Sequence, residues 1–180
     1  MIKKPEVISS KEIYNGWYRA RKDMLKVDGL DELYPYDVIT PGDGVGVLAF
    51  LDEDTLLIAR QNRHPLGEDI VELIQGGANK GESPIDCGRR ELLEETGCTA
   101  KFEYLTGNYP LPCLLDMRTY AVIARDLRKV QEPIKDPLEE MELVRMPFSW
   151  VLNGVLKDIY KDAILKTAVM HYQLEYRQDY

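Results

Sequence analysis

The stretch QGGANKGESPIDCGRRELLEETGC, residues 75–98, places five acidic side chains and two adjacent arginines around a glycine-studded turn. Within it, Glu91, Glu94 and Glu95 fall in a single turn of a segment that reads as helix. At about 100° per residue, the three side chains span roughly 100° of the helix surface, so their carboxylates converge on one patch. Like charges at this spacing repel by about a few tenths of a kcal/mol. The helix dipole also disfavours anions near a C-terminal end. A divalent cation reverses both penalties: Mg²⁺ takes hard oxygen ligands and keeps waters and substrate phosphates in the rest of its shell.

An isolated RRELLEE is equally compatible with a solvated acidic face on which Arg89 and Arg90 form surface pairs. The preceding loop favours the metal. Gly76 and Gly77 end a strand, and glycine permits close backbone approach, so the loop can bring a carbonyl, that of Gln75, to the same ion.

Several elements must hold this patch. VGVLAFL (45–51) and TLLIARQ (55–61) are short, apolar and β-rich, and the acidic DED between them makes a hairpin turn. DIVELIQ (69–75) is a further strand running into Gly76. Ser83 offers an N-cap and Pro84 the first helical position, and the helix runs to about Glu95 before Gly97 supplies a left-handed cap. KFEYLTGNY (101–109), RTYAVIARDL (118–127) and EMELVRMPF (140–148) read as strands. Leu156 to Tyr176 carries apolar residues at helical spacing and reads as one C-terminal helix. YPYDVITPGDG (34–44) is punctuated by Pro and Gly as a loop would be. Strands on both sides of a central helix, then a terminal helix, predict an α+β sandwich with a mixed sheet.

The 180-residue chain, 44% hydrophobic and 30% charged, has the profile of a soluble globular protein. No run of about 18 apolar residues is present, so no membrane span is expected, nor is a secretory signal. A net charge of −8 argues against nucleic acid as a partner, because a phosphate-backbone binder carries a basic face. Cys87, Cys98 and Cys113 are odd in number and widely spaced, and fit reduced thiols in a cytoplasmic protein.

The pattern Gly76-x5-Glu82-x7-Arg90-Glu91-Leu92-x-Glu94-Glu95-x-Gly97 resembles the Nudix hydrolase signature, with Cys98 standing where the family prefers Ile, Leu or Val. The resemblance implies a Nudix-type α/β/α sandwich and hydrolysis of a nucleoside diphosphate linked to another moiety. It implies Glu91, Glu94 and Glu95 as ligands of Mg²⁺ (or Mn²⁺), with Glu82 and the Gln75 carbonyl as further contributors. Arg90 would hold the glutamates in place by charge-assisted hydrogen bonds.

The flanks resemble the ADP-ribose and nucleoside diphosphate sugar pyrophosphatase branch, where a strand ending in Gln-x-Arg precedes a Glu-Leu-x-x-Gly segment. Arg63 and Glu72 match, and Arg63 is the candidate contact to the substrate phosphates; the alternative is a surface pair with Glu68 or Asp69. His64 reads as a polar loop residue. Pro112 stands where ADP-ribose hydrolases of this family carry a proline, although their Ser-Pro-Gly and following Glu are replaced by LPCLLDM. In DPLEEMELV, Glu139 or Glu140 is the candidate base for the attacking water.

The division expected is an N-terminal β-segment, residues 1–40, and a hydrolase domain, residues 41–180. The first resembles the segment that packs against a partner subunit in this branch, which implies a homodimer. Trp17, Tyr18, Tyr34 and Tyr36 suit such an interface, or could equally cover the chain's own core. The expected products are a nucleoside monophosphate and a sugar phosphate. The competing readings are a diadenosine polyphosphate or capped-RNA hydrolase, a nucleoside-triphosphate hydrolase, and a non-catalytic nucleotide-sugar sensor.

Overall fold

The computed structural model describes residues 3–134 and 140–177, and its elements fall into two units. One holds the N-terminal residues to Gly42 together with Tyr109–Arg118; the other holds Asp43–Asn108 and the chain from Thr119 onward. The division thus falls after Gly42, and the 109–118 connection goes with the first unit.

In the first unit, β1 (Glu6–Asn15), β2 (Arg19–Lys26) and β3 (Leu33–Thr40) form an antiparallel sheet in that order. The loop expected from residue 34 is strand instead and begins only at Pro41–Gly42. Pro35 is tolerated because β3 is an edge strand, where a missing N–H costs no ladder hydrogen bond. The 109–118 segment is tied to β3 through Ile39, whose N–H donates to the Leu114 carbonyl (3.0 Å) and whose carbonyl accepts from Asp116 N–H (2.9 Å).

The second unit is built on a mixed sheet of β4 (Gly44–Phe50), β5 (Thr55–Arg63), β6 (Glu68–Glu72), β7 (Ile74–Gly77), β8 (Cys98–Asn108), β9 (Thr119–Lys129) and β10 (Met141–Pro147). The main order is β10-β5-β4-β9-β8; β6 pairs with β5, and β7 with β4. Only β4 and β9 run parallel among these pairs. The strand expected over 69–75 is therefore two short strands, broken at the fully buried Leu73.

Alternation along the strands feeds two cores. Val45, Val47, Ile74, Val122 and Ala124 pack with Cys87 and Leu92 of α1 (Pro84–Thr96). Leu48, Phe50, Leu56, Ile58 and Ile123 pack with α2 (Phe148–Leu156) and α3 (Ala163–Tyr176). Helices on both faces of a mixed sheet give the α/β/α sandwich. The single C-terminal helix expected from Leu156 is instead interrupted. Asp158 adopts a left-handed φ of 57°, and the N–H groups of Ile159 and Tyr160 both turn back to the Gly154 carbonyl. Asp162 then caps a new helix. Among the described residues, no helix is long and apolar enough to cross a membrane.

Candidate functional site

The acidic patch is held by the ends of α1 and by β7. At the start of α1 the Ser83 hydroxyl accepts from Asp86 N–H (3.2 Å). At its end Gly97 (φ 70°) donates its N–H to the Leu93 carbonyl (2.9 Å). β7 runs beside it, and Gly76 meets Glu91: a Cβ on Gly76 would stand 2.2 and 2.4 Å from the two carboxylate oxygens. The Gln75–Gly76 peptide therefore lies beside the Glu91 carboxylate, at a distance that only glycine allows.

Arg90 joins the acids. Its Nε and Nη2 donate to the two Glu82 oxygens (3.0 Å each), and Nη1 donates to Glu91 Oε1 (2.6 Å) and Glu94 Oε2 (3.2 Å). Nη2 also donates to the Gly77 carbonyl (2.8 Å), which ties the helix to the loop. Glu82 accepts a further bond from Asn79 N–H (2.8 Å). The Arg90 guanidinium holds the Glu82 carboxyl down at about 2. Both Glu82 oxygens are engaged in orienting Arg90, which sets Glu82 apart from the other candidate ligands.

Arg89 turns away, to Asp86 and over the Phe102 ring (5.5 Å). One guanidinium thus faces Glu82, Glu91 and Glu94, with Glu95 half-buried on the same helical turn. The excess anionic charge and the hard oxygen donors fit a divalent cation. Among the described residues no three acidic, imidazole or thiolate groups cage an ion by themselves.

On the neighbouring strands, Arg63 forks onto Glu72: Nε donates to Oε2 (3.1 Å) and Nη2 lies 2.8 Å from Oε1. Asp69 is taken by Arg60 (2.9 Å) and Asn62 (3.1 Å), so the surface pair with Arg63 does not form. Glu72 is only 2% exposed, and burial pushes its carboxyl up against the opposing pull of Arg63. Its carboxylate is occupied by the Arg63 guanidinium.

A family model of the NUDIX domain matches residues 40–164. The chain belongs to the Nudix family. It is 34% identical over 145 residues to an ADP-ribose pyrophosphatase of Bacillus subtilis (strain 168), covering 77% of this chain and 76% of that one. It is 26% identical over 183 residues to a GDP-mannose pyrophosphatase of Cronobacter sakazakii, covering 94% and 95%. A crystal structure of an ADP compounds hydrolase superposes with a TM-score of 0.83 at 20% identity, over 97% of this chain and 95% of that chain, and shares the fold. Nudix hydrolases generally use divalent metal ions.

Two Nudix-branch expectations lie elsewhere. Pro112 is in the 109–118 segment of the first unit, where with Arg21, Tyr36, Tyr109 and Asp116 it lines a cavity of about 350 Å³. Arg21 there is held between Asp23 (3.2 Å) and Asp116 (3.3 Å). Glu140 is exposed and directly precedes Met141, which pairs with Gln61, so it stands at the end of β5 that carries Arg63. Glu139 lies outside the described residues. Asp162, whose carboxylate accepts from Leu165 N–H to cap α3, falls inside the span read as continuous helix.

Proposed function

We propose that the chain hydrolyses the diphosphate bond of ADP-ribose or a related nucleoside diphosphate sugar, giving a nucleoside monophosphate and a sugar phosphate. The observation that carries this reading is the Arg90 guanidinium shared by Glu82, Glu91 and Glu94, with Glu91 seated on Gly76. The names of the two relatives favour a nucleotide-sugar substrate over a dinucleotide.

Glu91, Glu94 and Glu95, with the Gln75 carbonyl, would hold Mg²⁺, for which Mn²⁺ could substitute. Bound there, the ion would neutralise the diphosphate and lower the pKa of an attacking water. Arg90 keeps Glu91 and Glu94 aimed at one point. Arg63 spends Nε and Nη2 on Glu72, which leaves Nη1 to donate to a phosphate oxygen. Glu139 or Glu140 takes the proton of the attacking water.

The first unit supports a homodimer. Every residue of β1 is exposed, and Val7, Ile13, Tyr14 and Trp17 offer apolar area, Trp17 being 93% exposed. Aromatic anchors of this kind are enriched in interface cores. We place the protein in the cytoplasm.

The test is product analysis with ADP-ribose, GDP-mannose, UDP-glucose and diadenosine polyphosphates, each with Mg²⁺ or Mn²⁺. Release of the nucleoside monophosphate from one of the sugars is expected. Turnover of the dinucleotides alone, or of nothing, overturns the reading. Sedimentation of the intact chain at a monomer mass would remove the dimer.

A further inference from the structure

The sheet divides beside the candidate site. β4 and β5 pair directly at Ala49–Leu57 and Phe50–Leu56, next to their hairpin turn. Farther along, β5 takes β6 as its partner and β4 takes β7, and the chain between β6 and β7 breaks at Leu73. The groups that the reaction needs fall on different branches of this divide. Arg63 ends β5 and forks onto Glu72, the last residue of β6. Gly76, against which Glu91 is seated, belongs to β7. A diphosphate met by Arg63 and by an ion at Glu91 therefore draws on both branches, and their spacing must be fixed.

The side chain of Gln75 crosses the break. Gln75 precedes Gly76 on β7, and its Nε2 donates to Glu72 Oε2 (3.0 Å), the same oxygen that accepts from Arg63 Nε (3.1 Å). The amide oxygen obtains nothing in return: Gln75 Oε1 is buried with no hydrogen-bond partner among the described residues. An unpaired buried carbonyl works against folding, and an apolar side chain of similar size would avoid it. The amide is thus a poor choice as packing, and what it supplies is the NH₂ group placed on Glu72. Glu72 is itself 2% exposed, so the donors that reach its carboxyl set its orientation, and with it that of Arg63.

We propose that Gln75 is a positioning residue: its side-chain amide, donating across the β6–β7 break to Glu72, holds the Arg63 guanidinium in register with the acidic patch at Gly76 and Glu91, so that one diphosphate meets both. This rests on the reading of Arg63 as the diphosphate contact. The role is separate from that of the Gln75 carbonyl, which belongs to the main chain and survives substitution of the side chain. Without the amide, Glu72 keeps Arg63 but loses its tie to β7, and the fork moves with β5 and β6 alone.

The test uses the intact chain with saturating Mg²⁺ and the nucleoside diphosphate sugar turned over fastest in the panel above. Gln75→Met and Gln75→Leu both remove the donor together with the unpaired oxygen, and they fill the space differently. Their melting temperatures are expected to equal or exceed the native one, because no orphan carbonyl is left. Mn²⁺ binding, read by calorimetry, should stay within about twofold, since the main chain is unaltered. Both variants are expected to raise KM about tenfold with kcat within about twofold, the mark of lost ground-state positioning. Arg63→Ala should raise KM further, and adding Gln75→Met to it should change nothing more, because residues in one network couple.

An unchanged KM in both Gln75 variants beside a raised KM in Arg63→Ala overturns the positioning role and leaves the Arg63 reading standing. A rise in one variant alone follows shape rather than the donor, and overturns it too. So does an equal KM increase with and without Arg63. A variant that melts well below the native chain or loses Mn²⁺ also overturns it, since the side chain would then serve packing or the acidic patch. An unchanged KM in Arg63→Ala removes both.

Discussion

Gly76 and Glu91 share one space: the position a Cβ would take on Gly76 lies 2.1 Å from the Glu91 carboxylate carbon. The conflict that Gly76→Ala creates falls on the tip of a flexible side chain. Rotating Glu91 away relieves it at about 1–3 kcal/mol, the usual range for overpacking. The carboxylate, however, then leaves Arg90 and the acidic patch. Gly76→Ala is expected to melt only a few degrees lower yet to lose at least about a hundredfold in kcat, more than the roughly 10–100-fold cost of removing a ligand's support. Circular dichroism melts beside steady-state kinetics separate the two effects, and near-normal kcat would show that Glu91 is not needed where it sits.

Arg90 is a fork, not merely a charge. It meets Glu82 with two nitrogens, reaches Glu91 and Glu94 with a third, and bonds the Gly77 carbonyl besides. A lysine cannot reproduce that geometry. Arg90→Lys should weaken Mn²⁺ binding by about 10–100-fold, read by calorimetry or electron paramagnetic resonance, because the carboxylates lose their aim. Binding within about twofold of the native chain would reduce Arg90 to surface charge pairing.

Glu95 separates the metal reading from a solvated acidic face. Glu95→Gln leaves the helix propensity nearly unchanged. A metal ligand lost there should still lower activity by at least about 10–100-fold and weaken Mn²⁺ binding in parallel. For the base, Glu139→Gln and Glu140→Gln are to be compared, and one should lose at least about a hundredfold in kcat. Two near-normal variants would clear both residues.

How far these features could be read from the sequence depended on whether they were local. α1 was legible because Ser83, Pro84 and Gly97 each act within one helical turn. The β4–β5 hairpin was legible from two apolar runs about an acidic turn. The β character of the first unit came only through the family resemblance: β1 is exposed on both faces, so no apolar alternation marks it as strand. The break before α3 was hidden because apolar residues recur at Leu156, Ile159, Tyr160 and Ile164 and no Pro or Gly stands among them to mark where the helix stops. In the site, Glu91, Glu94 and Glu95 share one helical turn and could be grouped by spacing alone. The Arg63–Glu72 fork joins separate elements and depends on how the chain breaks at Leu73.

Acid should find the Arg90 cluster late. The Glu82 carboxyl lies at about 2, below its ordinary 4.5, chiefly because Arg90 donates to it. A depressed carboxyl contributes stability that is complete above the unfolded value and lost as pH falls through the folded one. In chelator, the native chain should therefore melt above Glu82→Gln near neutral pH, and the gap should close between about 4.5 and about 2. A gap that stays constant down to the lower limit would mean that the pair contributes shape and not charge.

The thiols give a final test of the same neighbourhood. Cys87 is fully buried under α1, with Arg90 Nη2 3.5 Å from its Sγ. Burial outweighs that nearby cation and pushes the thiol up to about 12. At pH 8 only about one molecule in ten thousand would carry the thiolate, the form that reacts. Cys113 is exposed. In the native chain a thiol-specific reagent should therefore modify Cys113 first and leave Cys87 untouched until the chain is unfolded in denaturant. Peptide mapping by mass spectrometry reads the order. Labelling of Cys87 as fast as Cys113 in the folded protein would mean that α1 opens readily, and a helix that opens readily could not hold Glu91 against Gly76.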